Sequence, residues 1–169
     1  MGRLSIKENK TLFQLSREEL GYSRERASEL LGWISPERIE KIENEKSMPH
    51  PDEVLAMAAT YKNPKLCNAY CAKLCPIGQE YVPEIRIKDL SQIVLEMLAS
   101  LNAMYKKQER LIEITADGQI SGDEIEDFVR IQEELERISI TVETLQLWAE
   151  RMLATGAIDM DAYQTYKKK

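Results

Sequence analysis

Apolar residues recur at two different spacings along this chain, and the change between them divides it. In the stretch from Arg24 to Lys62 they come in short clusters. Ala27, Leu30 and Leu31 fall at i, i+3 and i+4, one face of a helix. Gly32 follows, a residue that ends a helix in the left-handed conformation without a Cβ penalty. Ser35 reads as an N-cap and Pro36 as the first helical residue, with Arg38 standing where a capping box has Glu. In that next helix Ile39 and Ile42 point inward, which leaves Glu37, Arg38, Glu40, Lys41 and Asn44 outside. Pro49 and Pro51 break the chain, and Val54, Leu55, Met57 and Ala58 build a third amphipathic helix.

The second half has a longer rhythm. From Asp89 to Ala116, residues Leu90, Val94, Met97, Leu101, Met104 and Leu111 alternate steps of three and four, with Gln108 in the one missing place. Such a seam predicts a helix of about 28 residues, roughly 42 Å long. Ile93, Leu98, Tyr105 and Ile112 widen the stripe, which calls for more than one partner helix. A second long helix opens with a capping box of Ser121 and Glu124 and runs to Thr155. Its inward residues are Ile125, Phe128, Val129, Leu135, Ile138, Val142, Leu145, Trp148 and Met152, and Gly156 is its stop. The connection from Asp117 to Gly122 is short, so the two helices lie antiparallel.

Between the halves, a helix is expected from Asn63-Pro64 to Cys75, then a linker from Gly78 to Pro83, with Tyr81 and Val82 packing back on the first domain. Residues 84–88 alternate and read as a brief extended segment. Asp159 to Lys169 reads as a last short helix, with Tyr163 and Tyr166 docked and Lys167, Lys168 and Lys169 frayed. The chain is therefore expected to be all-α, with one domain over residues 1–80 and a long antiparallel α-hairpin over residues 84–169.

Two short helices joined by a Gly-containing turn, then a third after a Pro-rich break, have the layout of a helix-turn-helix. Residues 12–62 resemble the domain of the lambda repressor/Cro type, also called the xenobiotic-response-element family. Leu20, Ser23, Ala27, Leu30, Leu31, Gly32, Ile34, Ser35, Ile39, Ile42, Glu43, Pro49, Val54, Leu55, Ala58 and Tyr61 carry the resemblance. Glu43 stands where the family has the acidic residue that closes the recognition helix. Asn44 is placed at the family's Gly position, where a left-handed backbone is required. The resemblance implies a five-helix domain that offers its third helix to the DNA major groove. It makes Arg38 and Lys41 contacts to bases or phosphates, and Glu37 and Glu40 acceptors from cytosine N4. Ser35 caps that helix at the same surface, and Arg24, Arg26 and Lys46 are placed at phosphates.

Charge changes this picture. Residues 1–83 hold 12 Lys/Arg and 12 Asp/Glu, and residues 84–169 hold 11 and 17, so the whole net charge of −6 lies in the second half. A neutral reading domain binds DNA only if its cations converge on one face, and its salt dependence is then modest. A hairpin with a wide apolar stripe buries it by pairing with a second hairpin, and a dimer suits a protein that reads two half-sites.

Other chemistry is thin. Cys67, Cys71 and Cys75 lie four apart on one helix face. They read as small buried hydrophobes, with a metal site completed by His50 as the alternative. Gly118 and Glu124 fit the sixth and twelfth places of a calcium loop, but Glu113 and Thr115 do not fit the first and third. Neither a metal nor another cofactor is expected. One His, no Gly-rich phosphate loop and no nucleophile-base pair give no catalytic set, so an enzyme is not expected. Adjacent acids such as Glu126/Asp127 and Glu133/Glu134 read as a solvated helix face. The first ten residues lack the apolar core of a secretion signal, Ile6 stands where myristoylation needs Ser or Thr, and no apolar run spans a membrane. A cytoplasmic location is expected, and the sequon at Asn9 carries no weight there. Two functions fit: a dimeric regulator that binds specific DNA, or an adaptor whose helix-turn-helix is a scaffold and whose acidic hairpin holds a partner.

Overall fold

The computed structural model describes residues 9–167. Among these, every regular element is a helix. One compact unit holds the residues up to Glu84 and those from Ala149 onward, and the other spans Ile85–Trp148.

The first unit opens with α1 (Leu12–Glu19), α2 (Arg24–Leu31), α3 (Pro36–Glu43), α4 (Pro51–Thr60), α5 (Lys65–Lys73) and α6 (Pro76–Tyr81). Hydroxyl caps start the first three. Thr11, Ser23 and Ser35 accept hydrogen bonds from the backbone N–H groups of Gln14, Arg26 and Arg38. Gly32 ends α2 at φ 78°, as its place in the sequence requires. Ala27, Leu31, Ile34, Ile39, Ile42, Val54, Met57, Tyr61 and Leu66 form the core. Leu30 and Leu55, expected inside, face solvent, because one helical face has room for only part of each apolar cluster.

Three local expectations are corrected. The left-handed residue after α3 is Glu45, at φ 57°, while Asn44 caps the helix at φ −97°. The expected linker from Gly78 is interrupted by α6, so this domain has a sixth helix after the expected five. Pro76 starts α6 at N1. Gly78 serves a close helix crossing: a Cβ there would lie 2.1 Å from the carbonyl oxygen of Cys71. Tyr81, expected to dock, is 81% exposed.

The second unit contains α7 (Leu90–Ile114) and most of α8 (Ile125–Thr155). Arg110 reaches Asp127 at 2.6 Å and Lys107 reaches Glu134 at 3.2 Å, so the helices run antiparallel. Glu124 accepts from the Ser121 backbone N–H at the start of α8, and Gly156 at φ 77° follows its end. The seam differs from the one expected. On α7 the buried and half-buried positions include Ile93, Met97, Ser100, Met104, Lys107, Leu111 and Ile114. On α8 they include Ile131, Glu134, Ile138, Thr141, Thr144 and Leu147. Leu90, Val94, Leu98, Leu101, Tyr105 and Ile112 on α7, and Ile125, Val129, Leu135 and Val142 on α8, are exposed. A stripe wider than one seam allows either edge to face the neighbouring helix, and the edge taken carries the small and hydroxyl side chains. The last helix, α9 (Met160–Lys167), includes Lys167, whose ammonium lies 5.6 Å from the Tyr163 ring centre. Tyr166, expected to dock, is 75% exposed, and Lys168 and Lys169 lie outside the described residues.

Candidate nucleic-acid interface

The surface of interest is the outer face of α3, and its position is set by two ion-pair clusters behind it. Glu43, 1% exposed, ends the helix. It accepts from Arg17 Nε at 2.6 Å and Nη2 at 3.0 Å, and from Arg24 Nε at 2.9 Å. Arg17 also donates to the Tyr22 carbonyl. One carboxylate thus joins α1, α2 and α3. Burial opposes the charge on Arg17, yet its hydrogen bond and attraction to Glu43 raise its pKa. Tyr61 is held well above the usual phenol range, first by burial and then by the charge of Glu43.

The second cluster belongs to Arg38. Its guanidinium donates to Glu53 at 2.7 and 2.6 Å, to Ser47 Oγ at 2.6 Å and to the Met48 carbonyl at 2.9 Å. Glu53 in turn accepts from the His50 backbone N–H at 2.7 Å. The hydrogen bonds from Arg38 hold the Glu53 carboxyl below its usual range. The fork therefore ties α3 to the loop and to the first turn of α4, where sequence alone placed it at a base or phosphate.

The remaining site candidates divide by freedom. Lys41 is exposed and makes no hydrogen bond or close ion pair among the described residues, and its charge helps to lower the Glu37 carboxyl. Glu37 is exposed in the first turn of α3, and the Ser35 hydroxyl, followed by its own backbone N–H, lowers its pKa. Glu40 accepts from Asn44 Nδ2 at 3.3 Å and lies 3.9 Å from the ammonium of Lys46. Arg26 pairs with Glu29 at 2.9 Å on the surface, which a phosphate readily replaces. Arg24 is half-committed through Nε to Glu43. Trp33, in the turn before α3, is 58% exposed beside these side chains and was not singled out from the sequence.

The cysteines form no such site. Cys67, Cys71 and Cys75 are free and half-buried, and no group of three metal-binding side chains exists among the described residues. Burial, then the neighbouring Cys71 and Glu150, pushes the Cys67 thiol up, which suppresses its thiolate. Among the described residues, no helix is long and apolar enough to cross a membrane.

Comparison with known proteins agrees with this geometry over one segment. A family model described as Helix-turn-helix matches residues 14–64. No curated protein and no solved structure gives a significant match.

Proposed function

Because residues 14–64 form a helix-turn-helix domain of the lambda repressor/Cro family, we propose that this protein is a sequence-specific DNA-binding transcriptional regulator that acts as a dimer. The observation that carries this reading is the state of α3. Its back is fixed by Glu43 and by the Arg38–Glu53 pair, while Lys41 is exposed on its front with the nearby Glu37 charge for company. A helix locked from behind and solvent-exposed in front is preorganised for a partner.

On this reading Lys41 is the principal cation on the major groove, donating to guanine or phosphate. Glu37 and Glu40 select against bases that present only acceptors, because a carboxylate there needs a donor such as cytosine N4. Trp33 meets the edge of the groove, where its apolar face suits a thymine methyl or a sugar. Arg24, Arg26 and Lys46 hold phosphates, and Ser35 fixes the helix start. Arg38 is a positioning residue. Dimerisation is assigned to the hairpin, whose outward stripe from Leu98 to Ile112 has no cover within its own unit. The same stripe and the acidic second half also suit an adaptor that holds a partner helix.

The test is selection of bound sequences from a random duplex library at low salt. A regulator enriches an inverted repeat, and Lys41→Ala weakens its binding about tenfold or more. Failure of the folded protein to enrich any sequence leaves the adaptor.

A further inference from the structure

A cavity of about 620 Å³ opens beside α3, walled by Phe13, Ile42, Met48, Tyr70 and Leu74. Its size falls within the range of small-ligand sites, roughly 300–1,000 Å³. Four charged residues line it: Glu45, Lys65, Lys73 and Glu84. Lys73 and Glu84 neutralise each other at 2.6 Å. The ammonium of Lys65 and the carboxylate of Glu45 have no partner among the described residues. The lining therefore offers an apolar wall, one cation and one anion. Its complement is a molecule with an apolar body, one carboxylate and one ammonium.

We propose that this cavity binds a short apolar peptide with free termini, its carboxylate on Lys65 and its amino group on Glu45, and that occupancy changes DNA affinity. The second half of the proposal rests on the DNA-binding reading. Ile42 belongs to α3, and Ser47 and Met48, which Arg38 grips, also line the cavity. A ligand that displaces Met48 acts on the clamp that sets α3. Glu45 follows the helix cap Asn44 at a left-handed position, so a partner for its carboxylate acts near the end of α3.

Titration calorimetry of the full chain with the tripeptide Leu-Phe-Leu, without DNA, reads the site by itself. The expected result is one site per chain, with N-acetylation and C-amidation each weakening binding about tenfold. Lys65→Gln makes amidation silent, and Glu45→Gln makes acetylation silent. Ala69→Trp, which fills the cavity, abolishes binding while the helical circular dichroism is retained. Absence of binding overturns the site. So does equal binding of free and blocked peptides, or binding indifferent to all three substitutions. Binding only in the Leu4→Ser/Ile6→Ser variant would give the cavity to the chain's own first residues and likewise overturn it. The regulatory half predicts that saturating peptide shifts affinity for a selected duplex at least about fivefold. An unmoved duplex affinity with intact peptide binding overturns that half. Failure to bind any duplex, with peptide binding intact, overturns the DNA reading and leaves the site standing.

Discussion

Glu45 holds a conformation that costs an L-residue roughly 1–2 kcal/mol and costs Gly far less. Glu45→Gly is therefore expected to stabilise the domain by about 1 kcal/mol, after the added freedom of the unfolded chain is subtracted. Urea denaturation measures it, and a loss of stability would show that the carboxylate has a structural partner. Gly78 predicts the opposite sign. A Cβ there meets backbone and not a flexible side chain, so α5 and α6 must separate. Gly78→Ala should cost about 2–3 kcal/mol, the range for overpacking a tight contact. Glu53 sets a pH dependence. Its carboxyl is lowered in the folded state, so its contribution is complete above the ordinary Glu range and is lost as pH falls through the folded value. The urea midpoint should fall on acidification below about pH 4.5, and Glu53→Gln should flatten that part of the fall.

At this scale the sequence was partly legible. The caps at Ser23 and Ser35 and the stop at Gly32 follow from local chemistry, because each needs only its own turn. The roles of Glu43, Arg38 and Gly78 do not. Glu43 is a hub only because Arg17, 26 residues earlier, returns to it. Gly78 matters only because α6 folds back on α5. No local pattern separates a charged side chain that points out from one that finds a partner on the next helix.

Among elements, α3 makes the clearest contrast. Arg38 and Lys41 are both cations on one short helix, and the sequence treats them alike. The structure gives them different work, so their substitutions should separate. Lys41→Ala should leave the melting temperature within about 2 °C, since surface changes usually fall within about 0.5 kcal/mol. It should still weaken duplex binding. Arg38→Ala should lower stability by about 2–3 kcal/mol, because it leaves the buried Glu53 carboxylate without its ion-pair partner. Any loss of DNA affinity should then be recovered in part by conditions that restabilise the fold. Equal stabilities for the two variants would contradict the assignment of Arg38 as a clamp. The hairpin teaches a related lesson. The period of its apolar residues correctly gave two long antiparallel helices. The seam was not legible, because residues such as Val94 and Met97 both lie on a continuous apolar stripe. Which edge faces the neighbouring helix is settled by packing of Ser100, Thr141 and Thr144, not by periodicity.

For the whole molecule, the hairpin's distribution of polarity is the decisive feature. Thr141, Thr144 and the ion-paired Glu134 are buried, while Leu101, Tyr105, Ile112, Leu135 and Val142 face outward. A lone hairpin gains little from that arrangement, whereas a second hairpin laid on the outward faces completes a four-helix bundle. Such pairing carries two reading domains on one assembly, as an inverted-repeat site requires. On the proposed reading the neutral charge of residues 1–83 keeps nonspecific affinity weak, so sequence selectivity would rest on α3.

The measurement that tests this most directly is sedimentation equilibrium of the protein with its selected duplex, alone and as Leu101→Glu/Val142→Glu. The account predicts two chains per duplex for the parent. It predicts a monomeric, folded variant that binds the duplex at least about a hundredfold more weakly, since the second half-site no longer adds through linkage. One chain per duplex for the parent, or two chains per duplex with undiminished affinity for the variant, would contradict it.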